Sequence, residues 1–282
     1  MRDALPAVAV VALLVLAGCS GASAPSDPTA TGTTTDAATT DEPTTSPATT
    51  TQSAASGYPP GVSADGVENA SALAEAHRAS VVERGAVLTA TTRTNGTVNN
   101  RTVAVDASET ARLTANASEL RWSVSATTTR GNATTRLDER YYANESTLVS
   151  RVEREGNVTV RSRNRSSFWN RAVLGAASKA RIVNVTLSNA NYAVADVAER
   201  DGRTVTTLVA ENGTYSGRQP VVEYNATVTV AESGRVLSLT RSWTSETDRS
   251  RTRYVSELAW SPATSVERPG WADDATPVNA SQ

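Results

Sequence analysis

The sequence predicts an α+β fold that is mainly antiparallel β. The expected form is a curved half-barrel sheet with one or two helices on its concave side, preceded by a signal peptide and a disordered, Thr-rich tether. Three observations predict it. An apolar run near the N-terminus ends on the only cysteine of the 282 residues. A stretch without large side chains follows. From residue 58 onward apolar and polar residues alternate with period two, and helical spacing interrupts that alternation twice.

The leader follows a secretory plan, with Arg2 ahead of an apolar region from Leu5 to Leu16. It is shorter than the roughly 20 apolar residues a bilayer span requires. It ends in Leu16-Ala17-Gly18-Cys19, the pattern of a lipobox, so Cys19 is the expected lipid attachment site. A thiolate is the strong nucleophile such a transfer uses. There is no twin-arginine pair, which points to Sec-type export. Two acyl chains on Cys19 give stable anchoring where one does not. The expected address is therefore extracytoplasmic, on the outer face of the cell membrane, with the membrane as a partner through the lipid. With Cys19 used, no disulfide and no cysteine metal site remain.

Expected boundaries are a signal peptide at 1–18, a lipidated Thr/Pro-rich tether at 19–57 and a half-barrel domain at 58–282. Ser20 to Gly57 contains no aliphatic residue larger than alanine and no aromatic, and residues 29–51 hold 12 threonines. Such a segment cannot offset the entropy of ordering its chain. As a flexible coil it reaches roughly 35 Å. All five tryptophans and all seven tyrosines lie beyond it. N-x-S/T sequons, candidate N-glycosylation sites in an exported chain, occur at Asn69, Asn95, Asn100, Asn116, Asn132, Asn144, Asn157, Asn164, Asn184, Asn212, Asn225 and Asn279. The 27 basic and 29 acidic residues give a net charge of −2. That balance argues against a nucleic-acid partner, which calls for a basic excess.

Within the domain, Val67 to Arg84 reads as an amphipathic helix with Ala70, Leu73, Ala74, His77 and Val81 on one stripe, capped by Asp65 or Ser63. Leu120, Trp122, Val124 and Ala126 alternate with polar residues as a half-buried strand does. Val103/Val105, Val158/Val160, Val228/Val230 and Tyr254/Leu258/Trp260 repeat the pattern. Asn95-Gly96, Glu155-Gly156-Asn157, Asp201-Gly202, Asn212-Gly213 and Ser233-Gly234 read as turns. A second short helix is expected over Ser167 to Lys179, and Pro262 to Gln282 reads as mostly irregular.

This order resembles the LolA-like half-barrel lipoproteins, and more closely an uncharacterised family of haloarchaeal cell-surface lipoproteins. The residues that carry the resemblance are the lipobox, the segment Leu73-Ala74-Glu75-Ala76-His77, the hairpin from Tyr192-Ala193-Val194 through Asp201-Gly202-Arg203-Thr204, the strands Ala226–Val230 and Gly234–Leu239, and the ending Val266-Glu267-Arg268-Pro269-Gly270-Trp271. One lysine, Lys179, against 26 arginines, with abundant Thr and Ala, also resembles exported proteins of halophilic archaea. The resemblance implies that acyl or isoprenoid chains are held between a curved sheet and its helices. Fold alone does not establish function.

No catalytic set stands out. His77 is the only histidine and lies on an apolar stripe, which is the place of a packed structural residue. There is no G-x-S-x-G motif. Asp138-Glu139, Glu153/Glu155 and Asp273-Asp274 read as solvated pairs. Two arginine rows, Arg161/Arg163/Arg165 and Arg249/Arg251/Arg253, read first as solvated outer faces and second as grips for headgroups, sulfated sugars or a surface layer. Trp122, Phe168, Trp169, Tyr192, Trp243 and Trp260 are the candidates to line a ligand cleft, with the domain core as the competing reading. Two functions follow: a lipid-anchored glycoprotein that binds a hydrophobic ligand without catalysis, or a solid structural, sensor or interaction protein that meets a surface-layer protein. No enzyme activity, metal or cofactor is expected.

Overall fold

In the computed structural model, residues 57–166, 174–211, 220–263 and 265–277 are described. The leader, Cys19, the tether, Phe168, Trp169, Asn212 and Asn279 lie outside the described residues. The strands are β1 (Val62–Ser63), β2 (Gly66–Val67), β3 (Ala86–Val98), β4 (Arg101–Leu113), β5 (Leu120–Arg130), β6 (Ala133–Ala143), β7 (Thr147–Arg154), β8 (Asn157–Asn164), β9 (Ala193–Arg200), β10 (Arg203–Glu211), β11 (Val221–Ala231), β12 (Val236–Thr247), β13 (Ser250–Ser261) and β14 (Thr276–Pro277). Two α-helices, α1 (Ala70–Arg84) and α2 (Ala180–Ser188), join them, with a helical turn at 174–178. Among the described residues no helix is long and apolar enough to cross a membrane.

β1 and β2 make a small hairpin. The other twelve strands form one open, curved sheet in the order β14-β8-β7-β6-β5-β4-β3-β13-β12-β11-β10-β9. Two meanders therefore grow outward from a β3–β13 seam. The chain leaves one wing at β8 and re-enters at the far edge, β9. The segment that makes this crossing carries the helical turn and α2. Antiparallel strands with alternating side chains leave one apolar face to cover, and α1 and α2 cover it from the concave side. Leu88, Leu113, Leu120, Leu239, Leu258 and Val228 of the sheet pack against Leu73 and Val81 of α1 and Val183 and Leu187 of α2. A smaller cluster lies on the convex face, where Val266 and Ala272 pack on Tyr142 and Val149. The chain runs on to β14, which pairs parallel with β8.

The elements depart from expectation at three places. First, α1 begins at Ala70 rather than Val67, because Asn69 caps it: its Oδ1 accepts from the Ala72 N–H at 3.0 Å. Residues 62–67 form the β1–β2 hairpin instead, and Ser63 Oγ accepts from the Asp65 N–H. Second, Asn95-Gly96 is no turn. It lies inside β3, where Gly96 pairs with Thr252, and a Cβ there would sit 2.2 Å from the Arg251 carbonyl oxygen. The hairpin turns at Asn99-Asn100, both at positive φ (50° and 59°), a conformation asparagine tolerates. Third, α2 forms from a run rich in β-branched residues with low helix propensity. Burial of Val183, Thr186 and Leu187 against the sheet overrides that propensity.

Gly66 shows how closely the N-terminal hairpin is docked. Its φ is +121°, and a Cβ would fall 1.8 Å from the Tyr192 carbonyl oxygen. Gly66→Ala is expected to destabilise the domain by about 2 kcal/mol, through overpacking and backbone strain. The readout is the urea midpoint at unchanged m; a midpoint within error of the parent's would mean that the hairpin is not docked on the β9 entry.

Candidate functional site

The helices pack leucine and valine onto one half of the concave face. Beyond them the face carries two stacked aromatic pairs. On one wing, Trp122 of β5 stacks on Tyr141 of β6, with ring centroids 4.8 Å apart and 20° between planes. On the other, Trp243 of β12 stacks on Tyr254 of β13 at 4.7 Å and 9°. Cross-strand register produces both pairs, since Trp122 is opposite Tyr141 and Trp243 opposite Tyr254. Between the wings β4 and β3 present small side chains: Ala107 opposite Thr92, and Val105 opposite Thr94. β5 and β13 are three strand spacings apart, about 14 Å. This strip of the concave face, the trough, has small side chains along its middle and an aromatic pair on each side.

Charged groups of this face that lie beside the aromatic pairs are paired. Lys179 Nζ lies 2.5 Å from Glu109 Oε1, with both side chains buried. Trp122 Nε1 donates to the same oxygen at 2.7 Å. Lys179 sits in the left-handed region (φ 51°, ψ 24°), at the joint between the helical turn and α2. Its side chain thus fastens the helical crossing to the sheet floor. Tyr141 donates to Glu139 Oε2 at 3.0 Å, and Arg154 lies 3.6 Å from the other carboxylate oxygen. Burial first, then the Glu139 charge, pushes the Tyr141 hydroxyl well above its ordinary range. Arg241 lies over the Trp243 ring at 5.0 Å and donates to Thr186 Oγ1.

Of the six aromatic candidates, half-buried Trp243 borders the trough, and Trp122, at its other side, is buried as part of the core cluster that also holds Trp260 and Tyr192. Trp260 Nε1 donates to the Ala177 carbonyl; the Tyr192 hydroxyl donates to the Thr186 carbonyl and meets Tyr224. His77 is a packed residue. Its Nε2 donates to the Ser178 carbonyl at 2.8 Å, and its Nδ1 accepts from the Val236 N–H at 3.1 Å. Its ring stands edge-on to Trp260.

The arginine rows separate. Arg161 and Arg163 fall on the concave side, opposite Ser150 and Leu148. Arg165 donates to the carbonyls of Ala117, Ser118 and Asn144. Arg251 pairs with Glu246. Among the sequence-adjacent acids, Asp138 and Glu139 point to opposite faces, Glu153 pairs with Arg151 and Asp273 with Arg268. Among the described residues no group of three or more His, Cys, Asp or Glu gathers as a metal site. Of the described sequon asparagines, Asn144 and Asn184 are half-buried and the rest exposed.

Residue patterns left Lys179, Glu109, Tyr141 and Tyr254 out of the site. The one available signal was a single lysine in a chain that otherwise uses arginine.

No protein-family model matches the chain, and none of the curated proteins matches it. Two solved structures show a distant likeness. LprF from Mycobacterium bovis is 10% identical over 71% of this chain and 96% of its own, with a TM-score of 0.31. A DUF1329 family protein from Desulfovibrio piger is 9% identical over 68% of this chain and 90% of its own, with a TM-score of 0.22. At these scores neither likeness bears on what the site does.

Proposed function

We propose that this protein is a lipid-anchored extracytoplasmic glycoprotein that binds a hydrophobic ligand, an acyl or isoprenoid chain, without catalysis. The observation that carries this reading is the trough itself: two stacked aromatic pairs facing inward across a floor of Ala107, Thr92 and Val105. Apolar and aromatic walls with few polar groups are the lining such ligands use. The carboxylates that face the trough are Glu109 and Glu139, on either side of Val124. Each is paired with a cation, Glu109 with Lys179 and Glu139 with Arg154. The lipobox at Cys19 supports the anchored address, and the exposed sequons support glycosylation.

The test is photo-crosslinking of the full-length chain in lipid nanodiscs with a diazirine-bearing fatty acid, read by peptide mapping. Label is expected on β5, β6, β12 and β13 peptides, with at least about a tenfold loss in Trp243→Glu, equivalent to ~1.4 kcal/mol. Label confined to the N-terminal anchor, or spread over the convex face, would sink the carrier reading. It would leave a solid protein that acts through partners on its outer surface.

A further inference from the structure

The convex face, opposite the trough, carries a feature no single strand announces. Arg112 of β4 lies directly opposite Arg121 of β5, and Arg140 of β6 directly opposite Arg151 of β7. Like charges placed opposite each other across strands are destabilising by themselves. Here two such pairs occupy neighbouring strands of a protein whose net charge is −2. Arg151 is partly compensated by Glu153 at 3.0 Å, yet its Nη1 is buried without a hydrogen-bond partner. Arg112, Arg121 and Arg140 have neither an ion pair nor a side-chain hydrogen bond among the described residues.

Arg121 and Arg140 border a groove of about 250 Å³ along β5. Ser108, Thr110, Ser123 and Ser125 line it, and Asp138 stands at its edge. The groove arises because the outward positions of β4 and β5 hold short hydroxyl side chains, while those beside them are long and charged. Its volume is below the roughly 300–1,000 Å³ of pockets that engulf a drug-sized ligand. A single ring or a short segment of a chain is what it fits.

We propose that this groove binds an acidic saccharide, with a sulfate or carboxylate on the two arginines and ring hydroxyls on the serines and Asp138. Guanidinium groups recognise both anions through paired N–H donors. Diagonal cross-strand neighbours such as Arg121 and Arg140 lie about 7–8 Å apart, within reach of one anion. Asp138 decides against a bare inorganic anion, which it repels, and in favour of a ligand that also donates hydrogen bonds. Serine and threonine hydroxyls donate and accept, which suits a polyol. The site is independent of the hydrophobic trough on the other face.

The test uses the full-length chain in mild detergent at about 0.15 M salt, where exposed charges more than ~8 Å apart are screened. Binding is measured to size-defined dextran sulfate, neutral dextran and poly-glutamate. Dextran sulfate alone is expected to bind well. Arg121→Gln/Arg140→Gln should weaken it by about tenfold or more. Arg249→Gln/Arg253→Gln removes the same charge elsewhere on exposed positions and should change it by less than about twofold. Ser123→Leu/Ser125→Leu fills the groove at constant charge and should also abolish binding. The Arg249/Arg253 and Ser123/Ser125 double variants should keep the parent's thermal midpoint, and Arg121→Gln/Arg140→Gln, which relieves both like-charge pairs, should not fall below it. Equal losses from both arginine pairs, no binding of dextran sulfate, or poly-glutamate bound as tightly would each overturn the proposal. The last would assign the patch to an acidic protein instead.

Discussion

Replacing Lys179 with methionine is expected to destabilise the folded domain by about 3–5 kcal/mol, the cost typical of leaving one member of a buried ion pair unpaired. The reason is local. Glu109 and Lys179 are 8% and 6% exposed, and among the described residues the only other donor on Glu109 Oε1 is Trp122 Nε1. Without the ammonium, a buried carboxylate would keep one neutral hydrogen bond. The double variant Glu109→Gln/Lys179→Met removes both charges, retains an amide oxygen for Trp122, and should return to within about 1 kcal/mol of the parent. Chemical denaturation of the four chains of this cycle gives the coupling directly. A single-variant loss below about 1 kcal/mol would show that water reaches the pair. Because Lys179 joins the helical turn to α2, the same variant should also raise hydrogen exchange first in residues 174–188.

Acid is expected to remove about 3 kcal/mol of stability between pH 6.5 and pH 4 through His77 alone. Burial lowers the His77 pKa from 6.5 to about 4; the hydrogen bond to the Ser178 carbonyl opposes the shift and the Arg235 charge adds to it. Val236 N–H and Ser178 carbonyl together require the neutral Nε2–H form, because protonated Nδ1 would face a donor. In that window the unfolded chain binds a proton that the folded chain refuses, so stability falls as pH falls. The contribution is complete above about pH 6.5 and gone below about pH 4. His77→Gln cannot titrate, so the stability gap between parent and variant should narrow by this amount across the window. Parallel pH profiles for the two chains would assign the acid sensitivity to other groups.

These two sites mark the boundary of what residue patterns disclose. His77 was legible as a structural residue, because it sits among Ala70, Leu73, Ala74 and Val81 at helical spacing and nothing near it in sequence completes a catalytic set. The strands were legible too. Leu120-x-Trp122-x-Val124-x-Ala126 declares its buried face through the period-two geometry of an extended chain. Glu155-Gly156, Asp201-Gly202 and Ser233-Gly234 mark turns through the backbone freedom of glycine. Asn95-Gly96 misled for the same reason: the dipeptide favours a turn locally, but β3 continues past it because Thr252 and its neighbours on β13 supply a full ladder of partners. α2 was hidden in the opposite way, since its β-branched residues speak against a helix until the sheet is there to bury them.

What the sequence determined by itself is the mainly antiparallel class, the position of α1, the lipobox and sequon patterns, and the inward face of β4, β5, β11 and β13; on β8 the alternating Val158 and Val160 lie on the convex side instead, with Val158 exposed. These depend on spacings of two to four residues, which a linear pattern records. The tertiary structure alone decided the pairings across strands. It put Trp122 on Tyr141 and Trp243 on Tyr254, brought Lys179 to Glu109 over 70 positions of chain, and set Arg112 opposite Arg121. Register between distant strands is a collective outcome of burying one whole face at once. No local propensity carries it, and both proposed binding surfaces are made of it.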